Sequence, residues 1–140
     1  MYLLDTNVLS EFRKLLTGKA DHVFAEWFSE IPSERLYISV ITLFEIENGI
    51  LRLERRDAEQ ASVLRHWFVQ ARAQLQGRII DIDQGIALRC AALHVPDPRS
   101  MRDSFIGATA MVHGLTLLTR NVRDFQAMDI EIVNPWDRAA

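Results

Sequence analysis

The chain has 140 residues, 49% of them apolar and 25% charged, with 16 basic against 19 acidic side chains and a formal net charge of −3. These are the proportions of one folded domain of ordinary size, residues 1–140, and the acidic balance means that any nucleic-acid contact must come from a local basic patch and not from overall charge. No run of about 18 uncharged apolar residues occurs, and an acid stands at position 5 where a signal sequence would carry a basic flank and an apolar core. Membrane and secretion readings are thereby excluded, and cytoplasm is the expected location.

The first predicted element is the apolar run Tyr2 to Leu4, which meets Asp5, Thr6 and Asn7 without a break. A carboxylate at the end of a buried strand is costly unless something compensates it. Asp5 or Thr6 can cap a short helix through residue 13. LYISV at 36–40 is the second predicted strand, and Ser39 and Thr42 stand before a helical stretch at 42–55. Asp57 precedes another at 58–76, in which Ala61, Leu64, Phe68, Ala71 and Leu75 form one apolar stripe ended by Gly77.

RII at 78–80 reads as a third strand and 84–94 as a helix, with Cys90, Ile86 and Leu93 on one face. A single cysteine cannot form an internal disulfide, and Cys90 reads as a small buried hydrophobe. The breaker VPDPRSMR follows, and Asp103 opens the helix DSFIGATAMVHG, closed by Gly114. Gly107, Ala108, Thr109 and Ala110 leave that helix thin on one side, which would let it approach a neighbour closely and set Asp103 against the strand ends. LTLLT at 115–119 and EIV at 131–133 complete the strands. Short apolar runs alternating with amphipathic stretches predict an α/β fold with a mainly parallel sheet.

In such a sheet the ligand site lies outside the carboxyl ends of the strands. Asp5 follows the first strand, Glu45 lies early in the helix after the second, Asp103 opens the helix before LTLLT, and Asp124 follows LTLLT. Four carboxylates meeting at one edge cannot all stay ionised without protons or cations, since two unit charges ~4 Å apart repel by about 4 kcal/mol at an effective dielectric near 20. Oxygen ligands suit Mg²⁺ or Mn²⁺, which can activate water for attack on a phosphodiester. Each acid taken alone also has a plainer reading: a helix cap for Asp5 and Asp103, a solvated side chain for Glu45 and Asp124.

The segments LLDTNVLSE, ISVITLFEIENGI and RDSFIGATAMVHGLTLLTRNVRDF, with the ending VNPW, resemble in order the motifs of the PIN domain family, and more narrowly its VapC and FitB type toxins. The resemblance covers nearly the whole chain. It implies a three-layer α/β/α fold with a parallel sheet, a homodimer, Mg²⁺ or Mn²⁺ dependence, and ribonuclease activity restrained by a cognate, VapB-like antitoxin. The family's first three acids fall on Asp5, Glu45 and Asp103. For the fourth, many relatives have an acid directly after the TR pair, where this chain has Asn121, and Asp124 lies three residues on. Metal binding is thus implied for Asp5 and Asp103, with Glu45 as ligand or water orienter and Asp124 as a supporting or second-metal residue assisted by Asn121.

Thr6 and Asn7 are placed to orient Asp5 or to touch a phosphate, and Arg102, Arg120 and Arg123 flank the acids closely enough to clamp one. Pairing with the neighbouring acids explains these arginines equally well. Arginine makes up 14 of the 16 basic residues, which suits bidentate phosphate contact but follows as readily from codon bias. The resemblance places an antitoxin groove on the helices at 42–55 and 58–76, where Trp67 is the candidate exposed anchor. Three alternatives stay open: a catalytically silent PIN-like binding module, a DNA-directed nuclease, and a phosphotransferase using Asp5, the last disfavoured by Asn7 where a second acid is wanted.

Overall fold

The computed structural model describes residues 1–137. Five strands, β1 (Tyr2–Leu4), β2 (Leu36–Ser39), β3 (Ile79–Ile80), β4 (Thr116–Leu118) and β5 (Ile132–Val133), form an all-parallel sheet in the order β3-β2-β1-β4-β5. Seven helices connect them: α1 (Thr6–Leu15), α2 (His22–Phe28), α3 (Val40–Glu54), α4 (Ala58–Gln74), α5 (Gln84–Leu93), α6 (Met101–His113) and α7 (Val122–Phe125).

Side chains alternate across a strand, so each strand feeds two cores. Leu4, Leu36, Ile38 and Leu118 pack with residues of α1 to α4, including Val8, Phe24, Ile46 and Phe68. Leu3 and Leu117 face the other way, onto Ile106 and Ala110 of α6 with Phe125 and Met128. Ile86 and Cys90 of α5 then close on Ala108 of α6, and burial pushes the Cys90 thiol pKa up. The result is the expected three-layer α/β/α sandwich, with the central strand β1 covered on both faces.

Helices α1 to α6 each start on a side-chain cap, whereas Asn121 before α7 makes none. Ser39 accepts from Ile41 N at 3.0 Å, Asp57 from Gln60 N at 3.0 Å, and Asp83 from Ile86 N at 2.9 Å. The Ser39 cap starts α3 at Val40, two residues before the predicted boundary, so Glu45 falls two residues deeper, in the second turn of the helix. Ser100 and not Asp103 caps α6, its hydroxyl accepting from Asp103 N at 3.3 Å. Asp103 is therefore a first-turn residue.

Two helices had no bounds from sequence. Helix α2 is a seven-residue segment whose large apolar residues are mostly aromatic, and it is held by ring contacts of Phe24 with Phe28 (4.6 Å between centroids) and of Phe24 with Trp136 (4.8 Å). Helix α7 has only four residues, too few to show a period. The small stripe on α6 acts as its composition predicts: a Cβ built on Gly107 would lie 2.2 Å from the Met128 sulfur, so glycine permits that contact. No helix among the described residues is long and apolar enough to cross a membrane.

Candidate active site

Chain order reverses direction across the sheet at β1: the next strand in sequence pairs on one side and β4 on the other. This is the topological switch point, where the carboxyl ends of parallel strands open a crevice. Asp5 sits at its floor. Its amide donates to Leu118 O at 2.9 Å, tying the end of β1 to β4, and its side chain is fully buried.

A buried carboxylate needs donors, and Asp5 has three. Thr6 N donates to Oδ1 at 2.8 Å, the Thr119 hydroxyl donates to Oδ2 at 2.8 Å, and Arg102 Nη2 donates to Oδ1 at 2.7 Å. Thr119, itself fully buried at the end of β4, accepts from Asn121 N at 3.0 Å, which aims its own proton at Asp5. Sequence reasoning did not single out Thr119. The available signal was the need of a buried acid for a donor and the presence of a hydroxyl at the end of the adjacent strand.

Arg102 is the centre of the site. Its Nε donates to Glu45 Oε2 and its Nη1 to Asp103 Oδ1, so one guanidinium bridges carboxylates carried by α3, α6 and the end of β1. Glu45 is steadied from behind by the Thr6 hydroxyl, which donates to Oε1 and lies 3.3 Å from the buried Thr42 hydroxyl. The α6 cap brings Arg102 and Asp103 to the crevice: Ser104 Oγ donates to Ser100 O at 2.6 Å and locks the first turn.

Electrostatics at Asp103 report how crowded the acids are. Burial pushes its carboxyl above the ordinary aspartate value; Arg102 opposes this, while Asp124 and Asp5 add to it. Asp124, exposed on α7, is thus near enough to Asp103 to act on it electrostatically, although it pairs with no basic side chain among the described residues. The Arg102 guanidinium is held charged more firmly than usual, because the acids around it outweigh its partial burial.

The structure therefore brings Asp5, Glu45 and Asp103 together and leaves Asp124 at the rim. Asn7 accepts from Arg120 N at 3.4 Å, and the Arg120 guanidinium lies over the Trp136 ring, 5.0 Å from its centroid. Asn121 and Arg123 are exposed beside them. Trp67, the anticipated exposed anchor, is half-buried against the core, and Phe44 on α3 is the exposed aromatic, at 67%.

Among the described residues no acids, histidines or cysteines stand in mutual contact as a finished metal cage. The donor set nevertheless fits a hard cation: carboxylate oxygens from Asp5, Glu45 and Asp103 all turn toward one positively charged centre. Such oxygen-only sets suit Mg²⁺ or Mn²⁺ and not softer metals.

The PIN domain family model matches residues 2–131. The VapC ribonuclease Y4jK of Sinorhizobium fredii is 31% identical, over 99% of this chain and all of its own. The crystal structure of FitAcB from Neisseria gonorrhoeae is 32% identical, covers 97% of this chain and 99% of that one, and superposes with a TM-score of 0.83. A toxin-antitoxin complex from Klebsiella pneumoniae is 29% identical over 99% of this chain and all of that chain, with a TM-score of 0.67. With the family model matching residues 2–131 and a relative 31% identical over 99% of this chain, the chain belongs to the PIN domain family.

Proposed function

We propose that this chain is a Mg²⁺- or Mn²⁺-dependent endoribonuclease, the toxin of a toxin-antitoxin pair. The observation that carries the reading is the convergence of Asp5, Glu45 and Asp103, from three separate elements, on one cation at the switch point of the sheet. The relatives named VapC ribonuclease and the solved toxin-antitoxin complex support RNA as substrate and an antitoxin as partner.

Asp5, Asp103 and Glu45 would hold the ion. When bound, such an ion supplies a nucleophile from water near neutral pH and positive charge for the phosphoryl oxygens. The chain's own groups do the rest. Thr119 and Thr6 N fix Asp5 so that it need not reorganise during reaction. The Thr6 hydroxyl occupies Glu45 Oε1, so Oε2, which accepts from Arg102 Nε in this structure, is the oxygen that would orient or take a proton from an attacking water. Thr6, Asn7, Arg102, Arg120 and Asn121 form the proposed substrate-contact set around this centre, with Arg120 held at the rim by Trp136.

The proposed antitoxin path is a groove of about 300 Å³ beside the acids, lined by Thr6, Arg13, Glu45, Ile50, Leu53 and Trp67 among others. It runs from an apolar stretch on α3 and α4 directly to Glu45. A second copy of the chain is the other proposed partner, which size-exclusion chromatography with light scattering would show as a dimer.

The deciding experiment is cleavage of total RNA, with single-stranded DNA in parallel, by protein freed of any partner, in Mg²⁺ or Mn²⁺ and in EDTA. Fragments that need both metal and Asp5 are expected. Asp5→Asn should abolish cleavage while the protein keeps its fold by circular dichroism, because asparagine preserves the size and most of the hydrogen-bonding capacity of the buried group. Cleavage of DNA alone would overturn the RNA assignment, and no cleavage by folded, partner-free protein would favour a binding module.

A further inference from the structure

Resting on the metal-dependent reading above, we infer that Arg102 and the divalent ion compete for the same carboxylate oxygens, so that metal loading is an exchange in which the guanidinium leaves. Three of its nitrogens are committed to one acid apiece: Nε to Glu45 Oε2, Nη1 to Asp103 Oδ1 and Nη2 to Asp5 Oδ1. Two of those acids are held from behind by their other oxygen, Asp5 Oδ2 by the Thr119 hydroxyl and Glu45 Oε1 by that of Thr6. The oxygens turned toward the common centre are thus the ones Arg102 occupies.

Mg²⁺ takes its ligands at about 2.0–2.1 Å. An ion drawing on those oxygens must stand where the guanidinium now is. Charge works in both directions. Three carboxylates around one guanidinium leave a formal excess of two negative charges, which attracts a divalent ion, while a fixed positive group among them repels it. Arg102 has a way out, because its side chain is 31% exposed and rises from the first turn of α6 at the mouth of the crevice. One residue therefore has opposed effects: it relieves repulsion among the acids and weakens their hold on metal.

The test is calorimetric titration of the full chain, stripped of metal and partner, with Mn²⁺ alone and no RNA, comparing wild type, Arg102→Gln and Arg102→Lys. Arg102→Gln is expected to bind Mn²⁺ at least about tenfold more tightly than wild type. It should also melt below wild type in EDTA, with the gap closing in saturating Mn²⁺. Arg102→Lys, whose single ammonium cannot bridge all the acids in the same way, should fall between them, and it carries the measurement if Arg102→Gln does not fold. Unchanged or weaker Mn²⁺ binding in the variants would overturn the exchange and leave the nuclease reading standing. No Mn²⁺ binding by any folded protein of the three would overturn both.

Discussion

Glu45 and Glu47 lie two residues apart on α3, and each is held by an arginine from another helix, yet their situations differ in kind. Glu47 receives Arg65 of α4 in a bidentate pair, with Nη2 2.8 Å from Oε2, and its side chain is 40% exposed. One acid meets one base in water, and the result is a surface tie between α3 and α4. Glu45 meets an arginine that two other acids already share, beside the fully buried Asp5. There the negative charges outnumber the positive and solvent is mostly excluded. The comparison teaches that an acid becomes a candidate for chemistry through the company it is buried with, which is set by the face of α3 it leaves from; residue type and helix are shared by the pair.

Cleavage assays on Glu45→Gln and Glu47→Gln would expose the largest difference. The first should lower the rate by about 10²-fold or more, as loss of a positioned acid–base group does, and the second should leave it within about twofold. Equal losses would abolish the distinction and point to a requirement for α3 as a whole. Thr119→Val sharpens it through stability: removing a donor to a buried, charged oxygen should cost about 2 kcal/mol in urea unfolding, near the range for hydrogen bonds to charged groups. A change below about 0.5 kcal/mol would mean that Asp5 does not depend on its scaffold.

The smallest expected effect is at the exposed pair. The Arg65 hydrogen bond holds the Glu47 carboxyl below the ordinary glutamate value, against a small opposing effect of burial. A folded-state value below the unfolded one stabilises the protein above the unfolded value, and that contribution is lost as pH falls through the folded value. Glu47→Gln should therefore reduce stability at neutral pH by less than about 1 kcal/mol, since solvent screens an exposed pair. The difference from wild type should vanish in acid below the glutamate range. Urea curves at pH 7 and near pH 3 would check this, and a difference that persisted in acid would assign it to packing.

Local chemistry made much of this legible. Periodicity placed α3 to α5, and the Gly114 stop of α6 follows from its left-handed backbone, φ 63°, which glycine adopts without strain. Strand-end reasoning put Asp5, Glu45, Asp103 and Asp124 at one edge, and the structure brings the first three onto Arg102 while Asp124 stays exposed. The role of Arg102 was beyond it. Arg102, Arg120 and Arg123 all flank acids in the sequence, but only Arg102 reaches across 97 residues to Asp5 and 57 to Glu45, while Arg120 turns to Trp136.

What the sequence determined by itself was the five strands, five of the seven described helices and the chemical character of the edge where the acids would lie, because alternation, caps and breakers act within a few residues. Tertiary structure alone decided which groups compensate the buried charge. Thr119 reaches Asp5 because β4 pairs beside β1, and Arg102 reaches all three acids because α6 packs through Ile106 and Ala110 onto Leu3 of β1 and Leu117 of β4. Those contacts depend on distances set by packing between remote segments, and electrostatic energy in a partly buried crevice changes steeply with such distances.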